Sequence, residues 1–128
     1  MKINQLATLT KVPSKTIRYY EQVELIPKAT RNSSGYREYN STDVDNLVFI
    51  RRCRELQIPL EQIKVLIQVQ KDKNSSCCEV DLLIEQQLEN VRKTINELVL
   101  LEKTLNTLAK SCSSDIVSDC GILKNLTQ

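Results

Sequence analysis

The sequence predicts a mainly α-helical protein with a small domain of short helices first, one long helix after it, and a short cysteine-bounded loop at the end. Three observations predict this class. Only two glycines and three prolines stand among 128 residues, too few for the turns of an all-β chain. Two short amphipathic segments broken at Val12-Pro13-Ser14 open the chain. From Ile84 onward the apolar residues settle into alternating spacings of four and three, the period of a coiled-coil seam.

The elements follow in order. Ile3, Leu6, Ala7 and Leu9 predict a short helix over residues 3–10. Ser14 is placed to be the N-cap of a second helix, in which Ile17, Tyr20 and Leu25 share an inner face while Lys15, Thr16, Arg18 and Tyr19 point outward. Two short helices joined by a tight turn, the second offering Lys, Thr, Arg and Tyr, match a helix-turn-helix; an ordinary helical hairpin with a solvated face fits the same pattern. Pro27 is expected to end the second helix. Arg31 to Tyr39 then read as a hairpin with its turn at Asn32-Ser33-Ser34-Gly35, a wing from which Arg31, Tyr36 and Arg37 could reach phosphates.

Ser41-Thr42-Asp43 is expected to cap a third helix running through Val44, Leu47, Phe49 and Ile50 to about Leu56. Its basic end, Arg51-Arg52-Cys53-Arg54, could touch phosphates or simply be solvated. A fourth helix starts at Pro59-Leu60-Glu61, carries Ile63, Leu66 and Ile67 inward, and ends near Gln70. Residues 71–76 read as a linker. Beyond it, Ile84, Leu88, Val91, Ile95 and Leu98, then Leu101, Leu105, Leu108 and Cys112, form a seam of about 30 residues that a lone helix cannot bury. A dimer, parallel or antiparallel, is the natural partner; packing on its own N-terminal domain is the alternative.

Charge divides the same way. Residues 1–60 carry ten Lys/Arg against six Asp/Glu, and residues 61–128 carry eight against ten. All five aromatics also fall in the first half, as expected of a nucleic-acid face. The chain contains no histidine, which removes the commonest general base and the commonest zinc ligand together. No phosphate loop or nucleophile elbow is present, so an enzyme is not expected. No apolar run approaches the ~18–20 residues of a membrane span and no signal peptide is evident. The expected location is the cytoplasm, where cysteines more often serve metals or chemistry than disulfides. The loop Cys112–Cys120 is then a candidate grip for a soft metal ion.

Three segments together form a specific signature: Thr16-Ile17-Arg18-Tyr19-Tyr20-Glu21, Gly35-Tyr36-Arg37-Glu38-Tyr39 and Phe49-Ile50-Arg51-Arg52-Cys53-Arg54. On them the chain resembles the MerR family of bacterial transcriptional regulators over essentially its full length. Cys77-Cys78-Glu79-Val80 and Asp119-Cys120-Gly121-Ile122-Leu123 resemble its cadmium- and lead-responsive branch, although Gln87 stands where many members of that branch carry histidine. The resemblance implies a winged helix-turn-helix with connector helices over 1–72, an antiparallel dimerisation helix over 73–111, and a metal-binding loop with a short C-terminal helix over 112–128. It also implies a homodimer on a promoter palindrome, repressing without metal and, with metal, distorting the DNA so that RNA polymerase can engage.

Under that reading, Cys77 and Cys112 lie at opposite ends of a helix roughly 50 Å long at ~1.5 Å per residue. An antiparallel partner would bring Cys77 of one chain to the Cys112–Cys120 loop of the other. Two thiolates alone favour Cu(I); a third favours Cd(II), Pb(II), Hg(II), or Zn(II) with an added oxygen ligand. Cys78 is a possible alternative ligand, and Cys53 is expected in the core. A Cu(I)-responsive regulator and a metal-sequestering dimer that never meets DNA are the competing readings.

Overall fold

The computed structural model describes residues 1–111 and 115–127. These form two compact units, Met1–Leu83 and Ile84–Gln128. Among the described residues the secondary structure is mainly helical, with a single two-stranded hairpin.

In the first unit, α1 (Ile3–Thr10) and α2 (Ser14–Gln22) are joined by three residues, and Lys11 takes the left-handed conformation that closes α1 (φ 60°). The N-cap of α2 is Pro13, not Ser14, and no side chain caps it. Ser14 instead begins the helix, where its hydroxyl lies 3.4 Å from Asn4 Oδ1. Nor does α2 run to Pro27. It stops at Gln22, and Glu24 turns the chain with φ 62°, so Leu25 and Ile26 drop into the core from the turn rather than from the helix.

The hairpin pairs β1 (Thr30–Arg31) with β2 (Arg37–Glu38) in antiparallel register, Thr30 opposite Glu38 and Arg31 opposite Arg37. Its turn is built around Asn32, whose side-chain carbonyl accepts from the Ser34 and Tyr36 amides. Gly35 supplies the positive φ that the turn requires (82°). The chain start lies against this hairpin: the Met1 ammonium donates to the Tyr39 carbonyl and the Tyr39 amide donates to the Met1 carbonyl.

Helix α3 (Ser41–Glu55) is capped one residue earlier than the sequence suggested. The Asn40 side chain accepts from the Asp43 amide while Asp43 Oδ2 accepts from the Asn40 amide, a reciprocal capping box. Helix α4 (Leu60–Lys71) completes the domain. Leu6, Ile17, Leu47, Ile50, Ile58 and Ile63 are each almost wholly buried, and Val80 and Leu83 from the start of the last long helix also pack against this core.

That helix, α5 (Cys78–Lys110), is 33 residues long and buries none of them. Ile84, Leu88, Val91, Ile95, Leu98, Leu101 and Leu105 are all exposed. The second unit continues through a 3₁₀ turn (Val117–Asp119) to α6 (Gly121–Thr127). There the chain doubles back closely enough that a Cβ at Gly121 would overlap the Ser111 carbonyl.

Candidate nucleic-acid interface and metal centre

The face that α2 presents follows from the face it hides. Ile17 and Tyr20 are turned into the core three residues apart, which leaves Lys15, Arg18 and Tyr19 in solvent and Thr16 half-buried. Across from them stands the hairpin. Tyr36 is exposed at its tip, and Arg31 Nη1 donates to the Gly35 carbonyl at 2.8 Å, bracing the tip from one side. Between α2 and the hairpin lies a concavity of about 490 Å³ lined by Arg18, Glu21, Gln22, Lys28, Ala29, Arg31 and Arg37. Four of these seven carry positive charge, the character expected of a surface that tracks a phosphate backbone.

The single acid among them is buried. Glu21 is only 5% exposed. Its Oε1 accepts from the Tyr39 hydroxyl at 2.6 Å, and its Oε2 lies 3.3 Å from Arg37 Nη1. Burial first, and then the hydrogen bond to the Glu21 carboxylate and its charge, push the Tyr39 phenol up to about 12. Burial also raises the Tyr20 phenol. Glu21 is a functional residue that the sequence motifs do not single out, and Arg37, expected to reach phosphates from the wing, is also its ion-pair partner. One signal was available: Glu21 is four residues from Ile17 and so shares its inward face.

The basic end of α3 is largely occupied with its own helix. Arg51 pairs with Glu55 at 2.9 Å, and Arg54 donates to the Ile58 carbonyl at 2.7 Å. Arg52, between them, is exposed.

The cysteines separate into kinds. Cys53 is buried under α3, and burial pushes its thiol up, which disfavours the thiolate a metal needs. Cys77 and Cys78 are exposed at the start of α5, where the Cys77 carbonyl accepts the Asp81 amide and the Ser76 hydroxyl accepts the Cys78 amide. Cys120 is half-buried just before α6. Cys112 lies outside the described residues. Among the described residues, no group of three or more His, Cys, Asp and Glu converges as a metal site. The donor chemistry itself suits a soft ion, because the accessible sulfurs come without any histidine to favour a harder one. No helix among the described residues is long and apolar enough to cross a membrane.

Comparison with known proteins agrees with this arrangement. The family described as MerR HTH family regulatory protein matches residues 1–70, and the one described as MerR, DNA binding, matches residues 44–108. An uncharacterized HTH-type transcriptional regulator of Pseudomonas aeruginosa is 38% identical, with 98% of this chain and 96% of that protein aligned. A heavy metal-dependent transcription regulator of Rhizobium meliloti is 35% identical over 98% of this chain and 86% of its own length. The crystal structure of the transcription regulator PbrR691 from Ralstonia metallidurans, in complex with lead(II), superposes with a TM-score of 0.87 at 32% identity and covers 98% of both chains. With helix-turn-helix, wing and basic concavity in place, this chain is not an enzyme but a DNA-binding member of the MerR family of transcriptional regulators.

Proposed function

We propose that the protein is a metal-responsive transcriptional regulator that sits as a homodimer on a promoter palindrome, and that a soft divalent ion, Cd(II) or Pb(II) before Hg(II) or Zn(II), switches it to activation of RNA polymerase. The observation that carries this reading is the exposed seam of α5. A helix of 33 residues with no buried residue has apolar surface for a second copy. The thiol-bearing residues Cys77 and Cys120 stand before and after it. Pairing two such helices antiparallel would set Cys77 of one chain beside the Cys112–Cys120 loop of the other. The region 73–111 then serves dimerisation, 1–72 meets DNA, and 112–128 holds the ion.

Cys77 of one chain with Cys112 and Cys120 of the other would hold the ion, and its bonds to thiolates would supply a tie between the two subunits. The residues of this chain do the rest. Lys15, Thr16, Arg18 and Tyr19 from α2, with Arg31, Tyr36 and Arg37 from the wing, hold the two half-sites. The α5 pair fixes the distance between them. Support for a soft effector comes from the lead(II) found with the Ralstonia protein and the heavy-metal dependence named for the Rhizobium one.

Titration of the purified dimer with Cd(II), Pb(II) and Cu(I), read by thiolate charge-transfer absorption and by transcription from the cognate promoter, tests the proposal. If a binding free energy of order 10 kcal/mol is shared by three thiolates, losing one costs roughly 100-fold or more in affinity. Cys77→Ser is expected to show that loss for Cd(II) and Pb(II). Cys78→Ser is expected to leave their affinity nearly unchanged, and affinity should fall with pH as thiolates protonate. Unchanged affinity in Cys77→Ser, with a preference for Cu(I), would replace this reading by a two-thiolate Cu(I) regulator. Failure to shift any promoter DNA, with metal affinity intact, would leave a sequestering dimer.

A further inference from the structure

Glu21 is an anomaly in a DNA-facing concavity. A carboxylate there repels phosphate, and burying it costs solvation. Yet each of its oxygens faces one donor from the hairpin side, Tyr39 Oη at 2.6 Å and Arg37 Nη1 at 3.3 Å. Arg37 is divided by this contact. Its Nη1 is wholly buried and makes no aligned hydrogen bond, while the side chain as a whole is 37% exposed and lines the concavity with Arg18, Lys28 and Arg31. A guanidinium has five N–H donors in a rigid plane. With one nitrogen held against Glu21, the rest are oriented before any DNA arrives.

We propose that Glu21 is a positioning residue for DNA binding: it holds the Arg37 guanidinium at the mouth of the concavity so that the outward N–H groups meet a backbone phosphate. The inference rests on the DNA-binding assignment above and adds the group that orders the wing arginine. Its gain is entropic, because an arginine already fixed loses less side-chain freedom on binding. It also sets a sign. By simple charge balance, neutralising Glu21 removes repulsion and tightens DNA binding; by positioning, it weakens it.

The experiment uses the palindromic duplex that the unaltered full-length chain selects from a random-sequence pool. Affinity is measured across salt concentration for the unaltered chain, Glu21→Gln, Arg37→Ala and the double variant. Glutamine keeps an acceptor for the Tyr39 hydroxyl but gives up the ion pair. Glu21→Gln is expected to bind about three- to tenfold more weakly per half-site. In the Arg37→Ala background the same change should have no further effect. Tighter or equal binding by Glu21→Gln, or the same loss in both backgrounds, would overturn the proposal. Arg37→Lys covers the case in which Glu21→Gln melts early. It keeps a cation for Glu21 but offers a point charge in place of a planar fork, so it should bind as weakly as Arg37→Ala, and binding like the unaltered chain would overturn the proposal. Selection of no duplex by the unaltered chain would overturn both the positioning role and the DNA-binding assignment beneath it.

Discussion

Tyr39 connects three parts of the DNA-binding unit through one side chain and one peptide. Its ring is buried, its hydroxyl donates to Glu21 on α2, and its backbone pairs with Met1. Folding raises its phenol from the ordinary 10.0 to about 12, so the folded state favours the protonated form. The stability this contributes is fully present below pH 10 and is lost as pH rises from about 10 to about 12. Tyr39→Phe should lower stability at neutral pH by roughly 1–3 kcal/mol, the cost of leaving a buried acceptor without its donor. It should also flatten the alkaline decline, leaving the part due to Tyr20 and Cys53, both raised by burial. Denaturant unfolding across pH 8–12 checks this, and an unaltered alkaline slope in Tyr39→Phe would contradict it. The burial of Ile17 and Tyr20 was legible because helical spacing depends only on neighbours. The Glu21–Tyr39–Arg37 contacts were not legible, because they join residues far apart in sequence through a residue type that usually stays in solvent.

At the scale of elements, the existence and order of the helices and the hairpin were legible, because proline, glycine and apolar period mark them directly. Their ends were less so. Asn40 and Ser41 are both good caps, and only Asn40 has Asp43 three residues on to complete a capping box. The early end of α2 turns on Glu24 at φ 62°, a conformation that glutamate composition does not announce. The proposed metal loop can be probed at its glycine. Gly121 opens α6 hard against the Ser111 carbonyl, so Gly121→Ala must displace either α6 or the end of α5. Metal affinity is expected to fall by about 10- to 100-fold, as when support around a ligand is removed, while metal-free DNA binding stays unchanged. Isothermal titration on the full chain, paired with a DNA-binding assay, checks both halves; unchanged metal affinity would mean that the α5–α6 approach is irrelevant to the site.

For the whole molecule, the candidate metal centre is legible by residue type and not by geometry, since Cys112 lies outside the described residues. The cysteines announced a soft ion, but the described residues bring no three ligands together, and α5 leaves its seam exposed. The proposed metal site is one shared between two subunits. Mixed dimers test it most directly. Dimers of Cys77→Ser alone, and of Cys120→Ser alone, should each lose metal-dependent transcription. A dimer made of one chain of each kind keeps one complete site if Cys77 and the loop come from different subunits, and none if they come from the same one. The expected result is restored Cd(II) or Pb(II) binding at one ion per mixed dimer, half the stoichiometry of the unaltered protein. Mixed dimers as inactive as their parents would contradict the shared site.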